Sequence, residues 1–182
     1  FSWKYRLSSF TKLIFIILIF LQTLNVSASN IAVIDLEKII NNNANYKEFL
    51  KKIEEDQKIY LDNFALIDKE IKNLLNEIEK SKLILNENEI NIMINNYNEK
   101  LKLHSEKYNN FNIHYQEEII KSRKVIFDKI MILLEEYALN NEIELILDST
   151  TYLIASNSIN ITNFIENKIN EIKIDLEFES FE

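Results

Sequence analysis

The chain has no glycine, no proline and no cysteine in 182 residues. Without glycine it cannot build a P-loop, a G-x-G-x-x-G dinucleotide turn or a G-x-S-x-G nucleophile elbow, because each needs backbone that only glycine permits. Left-handed turn positions are then expected to fall to asparagine, which tolerates them next best. Without cysteine an exported protein has no disulfide staple, so burial and assembly must stabilise it. The wealth of Asn, Ile, Lys and Phe beside the missing Gly and Pro is what an AT-rich coding sequence imposes, and the exclusions hold whatever their origin. Positive charge is also short, with 21 Lys+Arg against 29 Asp+Glu and a net charge of −8. That balance argues against nucleic acid or an anionic membrane as the main partner.

The first residues carry a targeting pattern. Lys4, Arg6 and Lys12 form a basic segment, residues 13–21 an unbroken apolar run, and Val26-Ser27-Ala28 a small-residue cleavage site. The run is well short of the roughly 20 residues of a membrane-spanning helix. Residues 1–28 therefore read as a cleaved signal peptide, with no stable membrane insertion after cleavage and work done outside the cytoplasm. The remaining charge is uneven: residues 45–140 are nearly balanced, while the acids gather in residues 141–182.

From residue 46 to 85 apolar side chains recur on a 4-3 spacing: Tyr46, Leu50, Ile53, Tyr60, Phe64, Ile67, Ile71, Leu74, Ile78 and Leu85, interrupted only by Gln57 and Ser81. Asn86-Glu87-Asn88 offers a polar turn, and the spacing resumes at Ile90, Ile94, Tyr97, Leu101, His104, Tyr108, Phe111 and Tyr115. Two seams joined by a short turn predict an antiparallel helical hairpin over residues 45–140, with its tip near residues 84–89. A limb of that length reaches about 60 Å at 1.5 Å per residue. After Tyr115 the spacing slips to 4-4 at Ile119, and the return limb becomes apolar on two faces through Val125, Ile126, Ile130, Met131, Leu133, Leu134 and Tyr137. The arm is expected to root there. Acid-before-base pairs such as Glu48/Lys52, Asp68/Lys72 and Glu117/Lys121 support the solvated faces.

Residues 30–35 read as an opening strand, and residues 143–148 and 151–155 as a closing pair. Asp35 is placed to cap a short helix over residues 36–40, and Asn160 a last helix bearing Ile161, Phe164, Ile165, Ile169 and Ile172. The predicted class is mainly α with a small β head: a long antiparallel coiled-coil hairpin arm inserted into a split α+β oligomerisation domain of residues 29–44 and 141–182. Such a head lies near the lower limit for an independent core and leaves sheet edges unpaired. Self-association is the expected remedy, with Ile31, Val33, Leu145, Leu147 and Leu153 as the candidate contact residues.

These residues carry a resemblance. Ile31-Ala-Val-Ile-Asp-Leu-Glu-Lys-Ile39 resembles the opening strand and turn of the Skp/OmpH periplasmic chaperones. The stretch Ile143-Glu-Leu-Ile-Leu-Asp-Ser-Thr-Thr-Tyr-Leu-Ile-Ala155 is similar to their closing hairpin, and Asn160-Ile161-Thr162 to the start of their final helix. The likeness covers nearly the whole chain after the leader, in order, around an arm of suitable length. It implies a homotrimer whose heads form a joint β-barrel-like body and whose arms enclose a cavity, where unfolded outer-membrane proteins are held during periplasmic transit without ATP. Two departures stand out: Asn160 replaces the usual Asp, and the chain is acidic where well-known members are basic. No lipopolysaccharide site is carried over.

Nothing here reads as an enzyme. The carboxylates lie on solvated helix faces, His104 sits in the seam as a packed coil residue, and His114 with Glu117 and Glu118 makes only a weak metal set, so no catalytic, cofactor or metal site is assigned. Leu83, Ile84, Ile92, Met93, Leu103 and Ile113 are apolar but off the seam. They either broaden the hairpin interface or serve as contacts for an unfolded client, with Met93 supplying adaptability. The tail over residues 174–182 alternates apolar and acidic residues. It is open to three readings, a frayed end, an added edge strand or a segment that imitates a client, with fraying the default for a terminus. Two functions remain in play: a holdase that binds many unfolded clients, and a structural coiled-coil tether or spacer of the envelope that binds one folded partner through a specific patch.

Overall fold

The computed structural model describes residues 30–182; the signal-peptide expectation lies outside them. Strand β1 (Ile31–Ile34) leads into helix α1 (Leu36–Asn42), which runs almost directly into helix α2 (Ala44–Ser81). The chain turns and returns along helix α3 (Glu87–Asn140), then closes with strand β2 (Leu145–Asp148) and helix α4 (Thr162–Glu171). The 38 residues of α2 span about 57 Å and the 54 residues of α3 about 81 Å. The surplus length of α3 lies against the head.

Asparagine side chains set the helix boundaries. Asn43 is fully buried; its N–H closes α1 on the Ile40 carbonyl (3.2 Å), and its Oδ1 opens α2 by accepting from the Tyr46 N–H (3.0 Å). Asn86 opens α3 in a reciprocal box with Glu89, each side chain accepting the other's backbone N–H at 3.1 Å. The expectation that asparagine would take the left-handed positions is overturned. Among the described residues the one positive φ, 55°, belongs to Glu142. Asn141 beside it spends its side chain on the Tyr137 carbonyl (2.8 Å), which holds it at the helix end and passes the left-handed step to the next residue.

The hairpin closes along the expected seam. Ile53, Phe64, Ile71 and Ile78 of α2 are buried, as are Phe111 and Tyr115 of α3, while Leu101 and Tyr108 of α3 and Leu85, in the turn, are exposed. Lys100 reaches Glu70 (2.5 Å) and His104 Nε2 reaches Asp68 (2.8 Å) across the limbs. Of the expected pairs along the helices, Glu48–Lys52 forms at 3.2 Å; Asp68 turns to His104 and Lys121 to Glu118. Phe49, off the seam, is buried as well, because the base of α2 is covered by the tail on that side.

In the head, β1 and β2 pair in parallel, with Ile31 opposite Leu145 and Val33 opposite Leu147. Parallel pairing needs a long crossover, and the whole arm serves as one. β1 is bonded on its other side too, where the Ile161 N–H donates to the Val33 carbonyl (2.9 Å). Asp148 and Thr162 stitch the pieces together, accepting from the N–H groups of Leu36 (3.1 Å) and Asp35 (2.9 Å). Ile126, Ile130 and Leu134 of α3, with Ile165 and Ile169 of α4, fill the core beneath.

Two expectations fail here. Residues 151–155 form no strand: Asp148 accepts from the Thr150 N–H (3.1 Å) and hydroxyl (2.7 Å), winding Ser149–Thr151 into a 3-10 turn that sends the chain away from β2. Helix α4 begins at Thr162 with Ile161 at the cap position and no side-chain bond from it; Asn160, one residue earlier than a cap, still satisfies a first-turn donor by accepting from the Thr162 N–H (2.9 Å).

Candidate interaction surfaces

One candidate surface is the outer edge of the head. Among the described strands β2 pairs with β1 alone, so its far side offers unpaired backbone. Leu145 and Ile31, cross-strand neighbours, are exposed together, and Leu153 and Ile154 extend fully into solvent just beyond. Leu147 is half-buried. Val33 is a different case: bonded on both sides, it is buried within the chain and is withdrawn as a contact residue. A two-stranded parallel sheet has little stability in isolation, and parallel sheets are ordinarily covered.

The second surface is the arm. Leu83 and Ile84 at the tip are 90% and 83% exposed, and Ile92, Leu103 and Ile113 are exposed along the limbs. Met93 is half-buried, its side chain shared between the hairpin and solvent. The helices position these residues by leaving them off the seam, which the Phe64, Ile71 and Ile78 row already fills. On α3, Ile120, Phe127 and Met131 form a further apolar stripe facing away from the head core. No helix among the described residues is long and apolar enough to cross a membrane.

Residues 30–169 match the family described as Outer membrane protein (OmpH-like). The chain belongs to the OmpH-like family. Its fold is similar to the crystal structure of an OmpH-like protein from Caulobacter crescentus CB15, with a TM-score of 0.60 at 9% identity over 84% of this chain and 93% of that one. No curated protein matches it in sequence.

The OmpH-like match stops at residue 169, and the segment beyond it holds the contacts that the sequence did not reveal. The tail does not fray. From Ile172 it runs extended along the base of the arm, with Ile174 and Phe181 buried and Leu176 and Phe178 half-buried against the core. Asn45 brackets its start, donating to the Ile172 carbonyl (3.3 Å) and accepting from the Ile174 N–H (3.4 Å). Phe178 meets Phe49 edge-on, and Phe181 seats between Tyr60, Phe111 and His114 at 5.2–5.6 Å between ring centres. Ser180 donates to Asp56 (2.7 Å), His114 Nε2 lies 2.8 Å from the Glu179 carbonyl, and Tyr60 donates its hydroxyl to the Phe181 carbonyl. The alternation of the tail was the available signal; its partners lie more than 60 residues away in sequence.

Electrostatics secure this base. Glu118 is buried, which opposes its charge, but hydrogen bonds from Lys121 (2.7 Å) and from the Glu179 N–H (3.4 Å) outweigh burial and hold its carboxyl below the usual range. Glu37 is lowered mainly by its hydrogen bond from Arg123, and Asp148 is lowered because bonds from Thr150 and the Leu36 N–H overcome burial. Burial and the bond it gives to Asp56 push the Tyr115 phenol up, so it stays protonated and donating. A lowered carboxylate contributes stability that is present above its unfolded pKa and lost as pH falls through the folded one. Thermal unfolding recorded by circular dichroism should thus be flat between neutrality and about pH 5 and decline below about pH 4.5, the ordinary glutamate value. Glu118→Gln should make that acid decline shallower; an unchanged decline would remove Glu118 from the account.

Proposed function

We propose that this OmpH-like chain is an ATP-independent holdase chaperone of the periplasm that binds unfolded outer-membrane proteins between arms of a homotrimer and prevents their aggregation. The observation that supports this reading most is the far end of the arm. Leu83, Ile84 and Ile92 are held out in solvent among polar neighbours, about 60 Å of helix away from the root, and the hairpin seam does not need them. Apolar side chains displayed this way give weak, numerous and sequence-tolerant contacts, which suit an unfolded chain better than a folded partner. Release needs no fuel: a client that folds into its membrane leaves the unfolded pool, and mass action empties the cavity. The open edge of β2 and the stripe of Ile120, Phe127 and Met131 supply the self-association surface.

Diluting a urea-unfolded outer-membrane barrel into the purified protein and measuring light scattering tests the reading. Aggregation should be suppressed, equally with and without nucleotide or chelator. Replacing Leu83, Ile84, Ile92 and Met93 together with Ser should weaken holding severalfold while helicity and particle size stay unchanged. Salt should matter little between low and moderate concentration, because the arm charges nearly cancel and screening has little net attraction to remove. Loss of helicity in the Ser variant would return those residues to the hairpin core, and scattering unaffected by the wild-type protein would end the holdase reading.

A further inference from the structure

We propose that the groove at the base of the arm is a binding site for extended polypeptide in which apolar residues alternate with polar ones, and that the chain's own tail fills it as a displaceable plug. The groove grips backbone as well as side chains: Asn45, His114, Glu118 and Tyr60 engage the N–H or carbonyl groups of Ile172, Ile174, Glu179 and Phe181. Backbone contacts of this kind are indifferent to sequence, and the pockets for Phe178 and Phe181 supply the preference for apolar residues. Ile174, Leu176 and Phe178 turn inward and Asp175, Glu177 and Glu179 turn out; the register then shifts by one, so that Phe181 rather than Ser180 turns inward. The alternation up to Glu179 is the pattern of a membrane β-barrel strand, whose lipid-facing and lumen-facing residues alternate.

The tail fits without filling. Clefts of about 290 Å³ and 220 Å³ remain beside Asp175 and Leu176, one against Glu118, Ser122 and Val125 and the other against Asn45, Phe49 and Lys52. Both are partly open to solvent along the tail. The tail continues from α4 without a linker, and its residues lie beyond the family match. Tethered so closely, it competes at an effective concentration on the order of millimolar. A short or folded peptide would rarely displace it, whereas an unfolded barrel with many alternating segments would. The groove would then open to the clients that need holding. The identity of the client rests on the holdase reading; the existence of the site does not.

The test uses the full chain and a fluorescent synthetic peptide with the sequence of residues 173–182, beside a peptide of the same composition with its apolar residues gathered together. Phe178→Ala with Phe181→Ala should bind the alternating peptide at least tenfold more tightly than the parent, and the gathered peptide more weakly. The absence of native cysteine allows a second arm that leaves both phenylalanines in place. Asp56→Cys with Ser180→Cys, set at the 2.7 Å contact, pins the tail when oxidised and frees it when reduced. The oxidised form should bind the peptide at least tenfold more weakly than the reduced form. Equal binding by the parent and the alanine variant, or by the oxidised and reduced forms, overturns the proposal. Light scattering with the same proteins keeps the two readings apart: suppression without the peptide pattern removes the groove alone, and the peptide pattern without suppression removes the holdase alone.

Discussion

Leu153→Asp is expected to break the protein into single subunits, and Leu145→Asp to do so while also loosening the head. Leu153 lies fully in solvent and contributes no burial to its own protomer, so its replacement tests a partner contact and little else. Leu145 stands on β2 opposite Ile31, and both are exposed on an outward face whose strand edge is open. If partner subunits cover that face, each protomer buries a leucine worth about 1.5–3 kcal/mol. Aspartate in its place leaves an uncompensated buried charge costing about 3–5 kcal/mol. Repeated in each subunit, that loss approaches the roughly 8–12 kcal/mol that hold a micromolar to nanomolar assembly together. Sedimentation should show loss of the parent's mass, and the parent's melting temperature should rise with protein concentration while the variant's does not. A parent that sediments as a well-folded monomer, or a Leu153→Asp variant with unchanged mass, would refute assembly through this edge.

The parts legible in the sequence were those governed by local periodicity. The 4-3 spacing placed Phe64, Ile71, Ile78, Phe111 and Tyr115 in the hairpin seam because a helix repeats its faces whatever surrounds it, and all five are buried. What misled was decided at long range or by a single side chain. Residues 151–155 have the composition of a strand, yet the carboxylate of Asp148 captures Thr150 and turns the chain aside. Phe49 falls outside the 4-3 seam and is buried all the same, because Phe178, on the tail, lies against it. For the tail, fraying is the default among three readings because nothing adjacent in sequence holds it; Asn45, Asp56, Tyr60 and His114 do, from helices folded back beside it. Val33 misleads for a related reason. A strand residue that alternates correctly for an outer face is inside when the backbone of residues 159–161 adds itself to the other edge.

The stability of the arm and the seating of the tail meet at one residue, so Phe111→Ala should show the largest loss of any single substitution along the hairpin. Its ring lies between those of Phe64 (5.2 Å), Tyr115 (4.9 Å), Tyr60 (6.2 Å) and Phe181 (5.6 Å), and it is only 3% exposed. Truncating a buried phenylalanine costs about 3–5 kcal/mol, and the edge-to-face partners it would abandon put this site toward the upper end. Phe111→Leu keeps an apolar side chain in the gap and should cost clearly less. Leu83→Ala at the exposed tip should stay within about 0.5 kcal/mol, as a solvated position does. Urea unfolding of the three variants gives the ranking. Hydrogen exchange at the Glu179 N–H adds a local readout, because loss of Phe111 removes one wall of the Phe181 pocket, and the tail should lose protection before the arm does. A Phe111→Ala cost no greater than that of Leu83→Ala would mean that the aromatic cluster is not what binds the two limbs, and protection at Glu179 unchanged in that variant would mean that the tail is held by its polar contacts alone.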